Sequence, residues 1–237
     1  MISTATIGVI AGAGKGGAVL APDIIIQGSN LDGTFNSSLT DGADIPVVNT
    51  TPGIDNLGSL GGQLIWGNTD STHHVFYYAP NLWLRILRTS GAVPGGFSFV
   101  DLPAWVGTDP WIIGVRLYVA PIFSSDMDIA QNSSPAYEVW TKTSTGKVYY
   151  NASYSVPDAM ELPLAINTTT NVLFGYDGTN RFLEVGGVRV NEAIAFFGPP
   201  LRLGGRDSEF FVERYARAKY TPTATASMLT FLNTPYP

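Results

Sequence analysis

The chain contains no cysteine among its 237 residues. This absence excludes a disulfide framework, a thiolate metal site and a cysteine nucleophile. Charged residues are also scarce, at 14%, well below the roughly 25% of a typical soluble domain. So low a charge is unusual for a free cytosolic enzyme and is commoner in proteins that reside within an assembly.

Basic runs and long apolar runs are missing as well. The 13 Lys and Arg residues stand against 19 Asp and Glu, for a formal net charge of −6. The electrostatic signature of a nucleic-acid-binding protein is therefore absent. No apolar stretch approaches the roughly 20 residues that a membrane span requires. The first apolar run has no basic leader and is broken by glycines, so we expect no signal peptide.

Histidine is limited to His73 and His74. Neighbouring residues of a strand point to opposite faces, which argues against a metal shared by the two. The glycine cluster at 12–17 has the spacing G-x-G-x-x-G, but a dinucleotide site needs a helix directly after it. Only residues 18–21 precede Pro22. The cluster therefore predicts a flexible or tightly turned connector and not a phosphate site.

The chain does contain many short apolar, β-branched and aromatic runs bounded by Gly, Pro, Asn and Asp, with almost no helical periodicity. This pattern predicts an all-β protein, an antiparallel β-sandwich. Strands are expected at 5–10, 22–27, 61–66, 73–78, 82–88, 96–101, 111–119, 136–142, 147–154, 171–176, 181–185, 188–191, 200–203, 209–216 and 228–232.

The register of one hairpin can be predicted residue by residue. Gly186-Gly187 joins two of these strands, and adjacent glycines accept the positive φ angles of a type I′ turn. The side-chain alternation predicts one face toward the core and one toward water. The expected cross-strand pairs are Val185 with Val188 and Leu183 with Val190 on the core face, and Glu184 with Arg189 on the water face.

The first part of the chain differs from the rest. Residues 1–60 are rich in Gly, Asn, Ser and Thr and contain few large apolar residues, so they bury little by themselves. We expect residues 1–60 to form either an N-terminal arm that pairs with neighbouring chains or a set of long loops, and residues 61–237 to form a sandwich domain.

Carboxylates offer the remaining candidates for chemistry. Asp126 and Asp128 lie in a Ser-rich segment that favours a loop, where a hard cation such as Ca²⁺ would use both side chains together with loop carbonyls. Asp207, Glu209 and Glu213 have strand spacing, and retaining glycosidases need two carboxylates about 5 Å apart. Solvated loop acids are the competing interpretation for both clusters, and no other cofactor is expected.

Aromatic side chains recur along the predicted strands. Their rings suit the packing of a half-buried pleated surface, and an exposed ring would instead stack on a sugar. The candidate stacking residues are Trp66, Tyr77, Tyr78, Trp105, Trp111 and Trp140.

Four short motifs follow one another near the C-terminus: YDG (176–178), LEVGG (183–187), LRLGG (201–205) and ERYAR (213–217). Their content and order resemble the concanavalin A-like, laminin-G-like jelly-roll family. Two features depart from it: Gly186 stands where that family usually has Asn, and no E-x-D-x-E glycosidase motif is present.

The resemblance implies a jelly-roll sandwich without enzymatic activity. Such domains are common on minor tail and fibre proteins of tailed bacteriophages. This implies a structural virion protein, assembled in the host cytoplasm as a homo-oligomer, with other virion subunits as partners and a host-surface glycan as a contact. Two alternatives remain open: a free carbohydrate-binding module, and a glycoside hydrolase that uses Asp207, Glu209 or Glu213.

Overall fold

A computed structural model describes residues 20–27, 44–45, 54–64, 66–68, 75–78, 83–86, 97–119, 126–132, 138–142, 145–151, 160–206 and 210–234. These residues form two antiparallel sheets that pack face to face, with one helix on an outer surface. The predicted fold class, an antiparallel β-sandwich, is confirmed.

Most of the described strands begin and end close to predicted positions, whereas four strands, β2, β3, β10 and β13, lie where none was predicted. The expected strand at 5–10 and the glycine cluster at 12–17 lie outside the described residues. The elements are β1 (Ile24–Gln27), β2 (Asp44–Ile45), β3 (Ile54–Asp55), β4 (Gln63–Leu64), β5 (Trp66–Asn68), β6 (Val75–Tyr78), β7 (Trp83–Ile86), β8 (Phe97–Asp101), β9 (Trp111–Tyr118), β10 (Asp126–Gln131), β11 (Glu138–Lys142), β12 (Lys147–Asn151), β13 (Met160–Pro163), β14 (Thr169–Tyr176), β15 (Asn180–Val185), β16 (Val188–Ala193), β17 (Arg202–Arg206), β18 (Phe210–Lys219) and α1 (Ala224–Asn233).

Within the described residues the larger sheet has nine strands, in the order β16-β15-β14-β9-β18-β7-β6-β2, and β1 also pairs with β18. The smaller sheet has seven, in the order β13-β12-β11-β10-β17-β8-β5, and β3 pairs with β4 in a separate ribbon. Strands β16 and β13 are the edges of the two sheets on one side of the sandwich, and they contact each other there.

The core lies between the sheets and follows the two-residue alternation of the strands. On β9, Trp111, Ile113, Val115 and Leu117 are buried in this core, whereas Ile112 belongs to a second apolar cluster on the outer face. The larger sheet therefore buries both of its faces along β9.

The second apolar cluster exists because α1 covers the outer face of the larger sheet. The prediction of a strand at 228–232 is wrong, since these residues belong to α1. Ala224, Met228, Phe231 and Leu232 are its buried residues, and their spacing i, i+4, i+7, i+8 forms one stripe of a helix. Within the described residues, no helix has the length and apolar character needed to cross a membrane.

The hairpin register is confirmed, but the predicted environment is wrong on both faces: Val188, expected on the core face, is 58% exposed, and Glu184, expected to face water, is not. Val185 pairs with Val188 and Glu184 with Arg189, as the turn chemistry predicts. However, Glu184 is buried. The Arg189 guanidinium donates from Nε to a Glu184 oxygen at 2.8 Å and from Nη2 to Thr225 Oγ1 of α1 at 2.5 Å. The expected exposure of this pair to water is therefore wrong, because α1 lies over it.

Three pieces of the predicted N-terminal arm contact the sandwich: β1, β2, which pairs with β6 in the larger sheet, and the segment around Asn56. Strand β1 pairs with residues 214–217 of β18 in the same chain. Asn56, which is buried, accepts hydrogen bonds at Oδ1 from the backbone N–H groups of Ile25 and Gly58, both at 2.9 Å. Residues 1–19, 28–43 and 46–53 of the arm lie outside the described residues, so its pairing with neighbouring chains stays a prediction.

Candidate functional site

A groove of about 650 Å³ opens on the side of the sandwich where β14 begins, at the tip of the β15–β16 hairpin and the C-terminal end of α1. Hydroxyl and amide side chains line one part of it, and aliphatic side chains line another. We call this site the neutral groove. Its lining residues are Pro163, Ala165, Thr168, Thr169, Thr170, Asn171, Leu173, Val185, Gly186, Gly187, Val188, Leu229 and Asn233.

The tight hairpin turn shapes one rim of the neutral groove. Gly186 and Gly187 adopt φ angles of 59° and 82°, which lie in the left-handed region that glycine adopts at little cost. The turn ends with Val188, whose side chain is 58% exposed. An exposed aliphatic side chain beside a concave surface is available for contact with a ligand.

The loop before β14 forms another rim, and two contacts with the end of β9 hold it. The Asn167 N–H donates to the Val119 carbonyl at 2.9 Å, and the Tyr118 hydroxyl donates to Asn167 Oδ1. Asn167 has a φ of 62°, a conformation that Asn tolerates better than most residues. These contacts fix the start of the threonine run 168–170.

Two asparagines of the groove are held by a charged pair beside it. Asn233 Oδ1 accepts a hydrogen bond from Asn171 Nδ2 and another from Arg116 Nη1, both at 2.9 Å. Arg116 in turn donates from Nε to Glu213 Oε2 at 2.6 Å. Both Asn233 bonds end on Oδ1, so neither involves its Nδ2 amide. The arrangement fixes at one place two amide groups that are 62 residues apart in the chain.

The neutral groove is lined by uncharged groups. Its lining contains neutral hydroxyl and amide groups and aliphatic side chains, and none of the described lining residues is a carboxylate, amine, guanidinium or imidazole. Proton transfer in catalysis needs a titratable group within reach of the reacting atoms, and this lining offers none. It can donate and accept hydrogen bonds and bury apolar surface.

The predicted stacking residues are dispersed over the fold. Trp111 is fully buried in the core, with its indole N–H donated to the Phe197 carbonyl at 2.9 Å. It presents no ring to solvent, so we remove it from the candidates. Trp105 packs partly against the core, donates to the Asp109 carbonyl at 3.1 Å, and lies 5.3 Å from the Arg217 guanidinium.

Trp140 lies on the outer face of the smaller sheet, where it stacks on Tyr149 with ring centroids 4.2 Å apart and 14° between the planes. Only 7% of Trp140 is exposed, so Tyr149 covers much of the ring that a sugar would use. Beside the pair, the hydrogen bond from Lys147 to Glu161 raises the pKa of Lys147. The side chains of Trp66, Tyr77 and Tyr78 lie outside the described residues.

The acidic pair proposed for a cation lies in a strand. The expectation of a loop around Asp126 and Asp128 is wrong, because both belong to β10, which pairs with β11 and carries a bulge after Asp128. Asp128 is buried, and the Asp126 side chain lies outside the described residues. Within the described residues no three His, Cys, Asp or Glu side chains cluster as metal ligands would. Calcium binding by Asp126 and Asp128 stays a prediction.

Glu213 is the described member of the candidate catalytic carboxylates, and it forms the ion pair with Arg116. Asp207 and Glu209 lie outside the described residues, as do His73 and His74. A retaining glycosidase needs a second carboxylate about 5 Å from the first, and the described groups bonded to Arg116 are Glu213 and two amides.

Sequence patterns did not identify the neutral groove. Its residues come from 163–173, 185–188 and 229–233, three segments far apart in the chain. The run Asn167-Thr168-Thr169-Thr170-Asn171 was the available signal, since it concentrates hydroxyl and amide groups just before a strand. Threonine and asparagine are also ordinary loop residues, and the run alone does not indicate a site.

No protein-family model and no curated protein sequence matches this chain. Among solved structures, the botulinum neurotoxin serotype D binding domain superposes with a TM-score of 0.55 at 8% identity, over 89% of this chain and 50% of that one. The binding domain of botulinum neurotoxin DC, in complex with rat synaptotagmin II, gives a TM-score of 0.54 at 8% identity, over 79% and 50%.

A sialidase of Trypanosoma rangeli, in complex with sialic acid, superposes with a TM-score of 0.47 at 10% identity, over 68% of this chain and 29% of that one. The chain spans no more than half the length of these three structures. The likenesses to the two toxin domains establish the fold, an antiparallel β-sandwich.

Proposed function

We propose that the chain is a non-enzymatic binding domain whose neutral groove takes an uncharged saccharide. The observation that carries this proposal is the lining itself, which places neutral hydroxyl and amide groups beside aliphatic side chains within one groove of about 650 Å³. Ligand sites combine a largely apolar surface with a few polar groups that fix orientation. The two toxin structures that share the fold are, by their names, binding domains as well.

A saccharide matches both parts of this lining. Its hydroxyl groups donate and accept, as do the threonine hydroxyls and asparagine amides, and its ring C–H faces can pack on Val188 and Leu229. An anionic or cationic ligand would enter a groove whose described lining offers no charged partner, and would lose hydration without compensation. A neutral ligand has no such cost.

The test is a panel of neutral and acidic oligosaccharides presented to the wild-type chain and to Val188→Asp. The substitution adds a charge at an exposed position, so it leaves the fold intact while it spoils the aliphatic part of the groove. Val106→Asp is the matched control, because Val106 is 89% exposed and does not line the groove. We expect wild type and Val106→Asp to bind neutral oligosaccharides alike, and Val188→Asp to bind at least tenfold more weakly. Equal binding by the two variants would place the ligand elsewhere.

The wider setting that we propose is a virion. The low charge of the chain, the Gly/Asn/Thr-rich segment over 1–60 and the jelly-roll resemblance support a structural component that assembles as a homo-oligomer with other virion subunits and contacts a host-surface glycan. Mass spectrometry of purified particles, together with the oligomeric mass of the purified chain, tests this. A monomer that is absent from particles would contradict it.

A further inference from the structure

We propose that the Arg116–Glu213 ion pair sets the specificity of the neutral groove, by keeping a guanidinium next to the site electrically neutral. The inference rests on the function proposed above and adds to it a selection against acidic saccharides. Arg116 and Glu213 are then positioning and specificity-determining residues, which act on a ligand through the two asparagines.

The geometry places the Arg116 guanidinium one hydrogen bond behind the groove. Its Nη1 donates to Asn233 Oδ1 at 2.9 Å and lies 3.4 Å from Asn171 Oδ1, and both asparagines line the groove. Cross-strand pairing explains the proximity, since Arg116 of β9 lies opposite Asn171 of β14. A positive charge at this distance acts on any ligand in the groove.

A β-bulge in β18 brings Glu213 next to Arg116, where its carboxylate offsets the positive charge. The register between β18 and β9 shifts between Val212 and Arg214, so that Val212 pairs with Leu117 and Arg214 with Arg116. Glu213 is the extra residue, and its carboxylate meets Arg116 Nε at 2.6 Å. The two side chains are only 26% and 18% exposed, and partly buried charges are screened less than exposed ones.

A second arginine on this face contacts the end of α1. Arg214 donates from Nη1 to the Phe231 carbonyl in the last turn of α1, and its guanidinium lies 5.4 Å from the Phe231 ring centre. The C-terminal end of a helix carries partial negative charge. Among the described residues, Glu213 is the acidic side chain bonded to Arg116, so its neutralisation removes the counter-charge that this pair supplies.

The test measures the ratio of affinities for an acidic and a neutral saccharide. The neutral probe is the strongest neutral binder of the panel, and the acidic probe is the same oligosaccharide with its primary alcohols oxidised to uronates. In Glu213→Gln we expect this ratio to rise about five- to tenfold at low salt, and the rise to vanish at high salt. Asp101→Asn changes the net charge equally at a distant ion pair with Arg202, and it must leave the ratio unchanged.

Two further variants keep the test decisive. Arg116→Gln removes the positive member of the pair and keeps the Glu213 carboxylate, so the ratio must fall below that of the wild type. The double variant Arg116→Gln/Glu213→Gln has no charge at either position and must return the ratio to the wild-type value. A folded Glu213→Gln with an unchanged ratio would overturn the inference while the neutral groove stands. Wild-type preference for the uronate would also overturn it, and a wild-type chain that binds no saccharide would overturn both proposals.

Discussion

Asp23 and Arg217 are 194 residues apart in the chain and form an ion pair, with Arg217 Nη2 2.5 Å from Asp23 Oδ2. The Arg217 Nε lies 3.2 and 3.1 Å from the two carboxylate oxygens, and its Nη1 donates to the Pro103 carbonyl at 2.6 Å. Arg217 is fully buried, so the guanidinium depends on these groups for the interactions that water would supply.

Asp23→Asn should therefore destabilise the fold strongly. Loss of the carboxylate charge leaves a buried guanidinium without its counter-ion, and we expect the free energy of unfolding to fall by about 2–4 kcal/mol. Asp109→Asn removes a pair of similar length, 2.5 Å, to exposed Lys219, and should cost less than about 1 kcal/mol. Urea unfolding of both variants checks the difference, and equal losses would show that burial does not decide the strength of these pairs.

Gly114 should be required for the docking of α1. A Cβ at this position would lie 2.5 Å from Met228 Cγ and 2.8 Å from its Sδ. We expect Gly114→Ala to cost about 1–3 kcal/mol through overpacking, whereas Gly198→Ala, where a Cβ meets nothing within 4 Å, should be nearly neutral. Because Met228→Ala frees the same space, the double variant should lose less stability than the sum of the single ones. Additive losses would argue against direct contact.

Tyr215→Phe should not destabilise the fold. The Tyr215 hydroxyl is buried and has no hydrogen-bond partner among the described residues, and an unsatisfied buried hydroxyl costs about 1–3 kcal/mol. Burial raises the pKa of this hydroxyl well above its ordinary value. The unfolded chain therefore ionises first as the pH rises through about 10, and the wild type should lose stability there relative to Tyr215→Phe.

The control for this prediction is Tyr176→Phe. The Tyr176 hydroxyl donates to the Gly178 carbonyl at 2.8 Å, so its removal should cost about 1 kcal/mol at neutral pH. Thermal unfolding at pH 7 and at pH 10.5 measures both variants. A large loss of stability in Tyr215→Phe at pH 7 would contradict the assignment of an unpaired hydroxyl.

Asp177→Asn should change the acid sensitivity of the β14–β15 turn. Partial burial alone would raise the pKa of Asp177, but hydrogen bonds from the Asn180 and Thr179 backbone N–H groups outweigh it and lower the pKa. A lowered folded pKa gives stability that is present at neutral pH and is lost as the pH falls through the folded pKa. The stability difference between wild type and Asp177→Asn should therefore shrink below about pH 4. A difference that stays constant from pH 7 to pH 2.5 would contradict this.

The elements that sequence predicted well are those that local chemistry determines. The Gly186-Gly187 turn and the alternation around it fix the register of β15 and β16 without reference to the rest of the chain. By contrast, the environment of Glu184 depends on α1, whose sequence lies some forty residues further on. Periodicity along one strand predicts two different faces, but it does not reveal what covers each of them.

Sequence patterns could not identify the candidate site, for a related reason. Catalytic and metal motifs are recognised by titratable residues at fixed spacing, and the neutral groove contains none among its described lining residues. Trp111 shows the converse error, since its residue type suggests stacking on a ligand but its ring is buried within the fold. An aromatic or acidic residue identifies a site only when its exposure is known.

The pairing of β1 with β18 has a consequence for how the chain folds. The two strands come from opposite ends of the sequence, so their contact closes a loop of nearly two hundred residues and contributes strongly to contact order. On the ribosome, Ile24 and Ile26 can meet their partner strand only after β18 has been synthesised, nearly two hundred residues later. During that interval an apolar strand and an open sheet edge are exposed to other copies of the chain, and slow refolding with early association is the expected behaviour in dilution from denaturant.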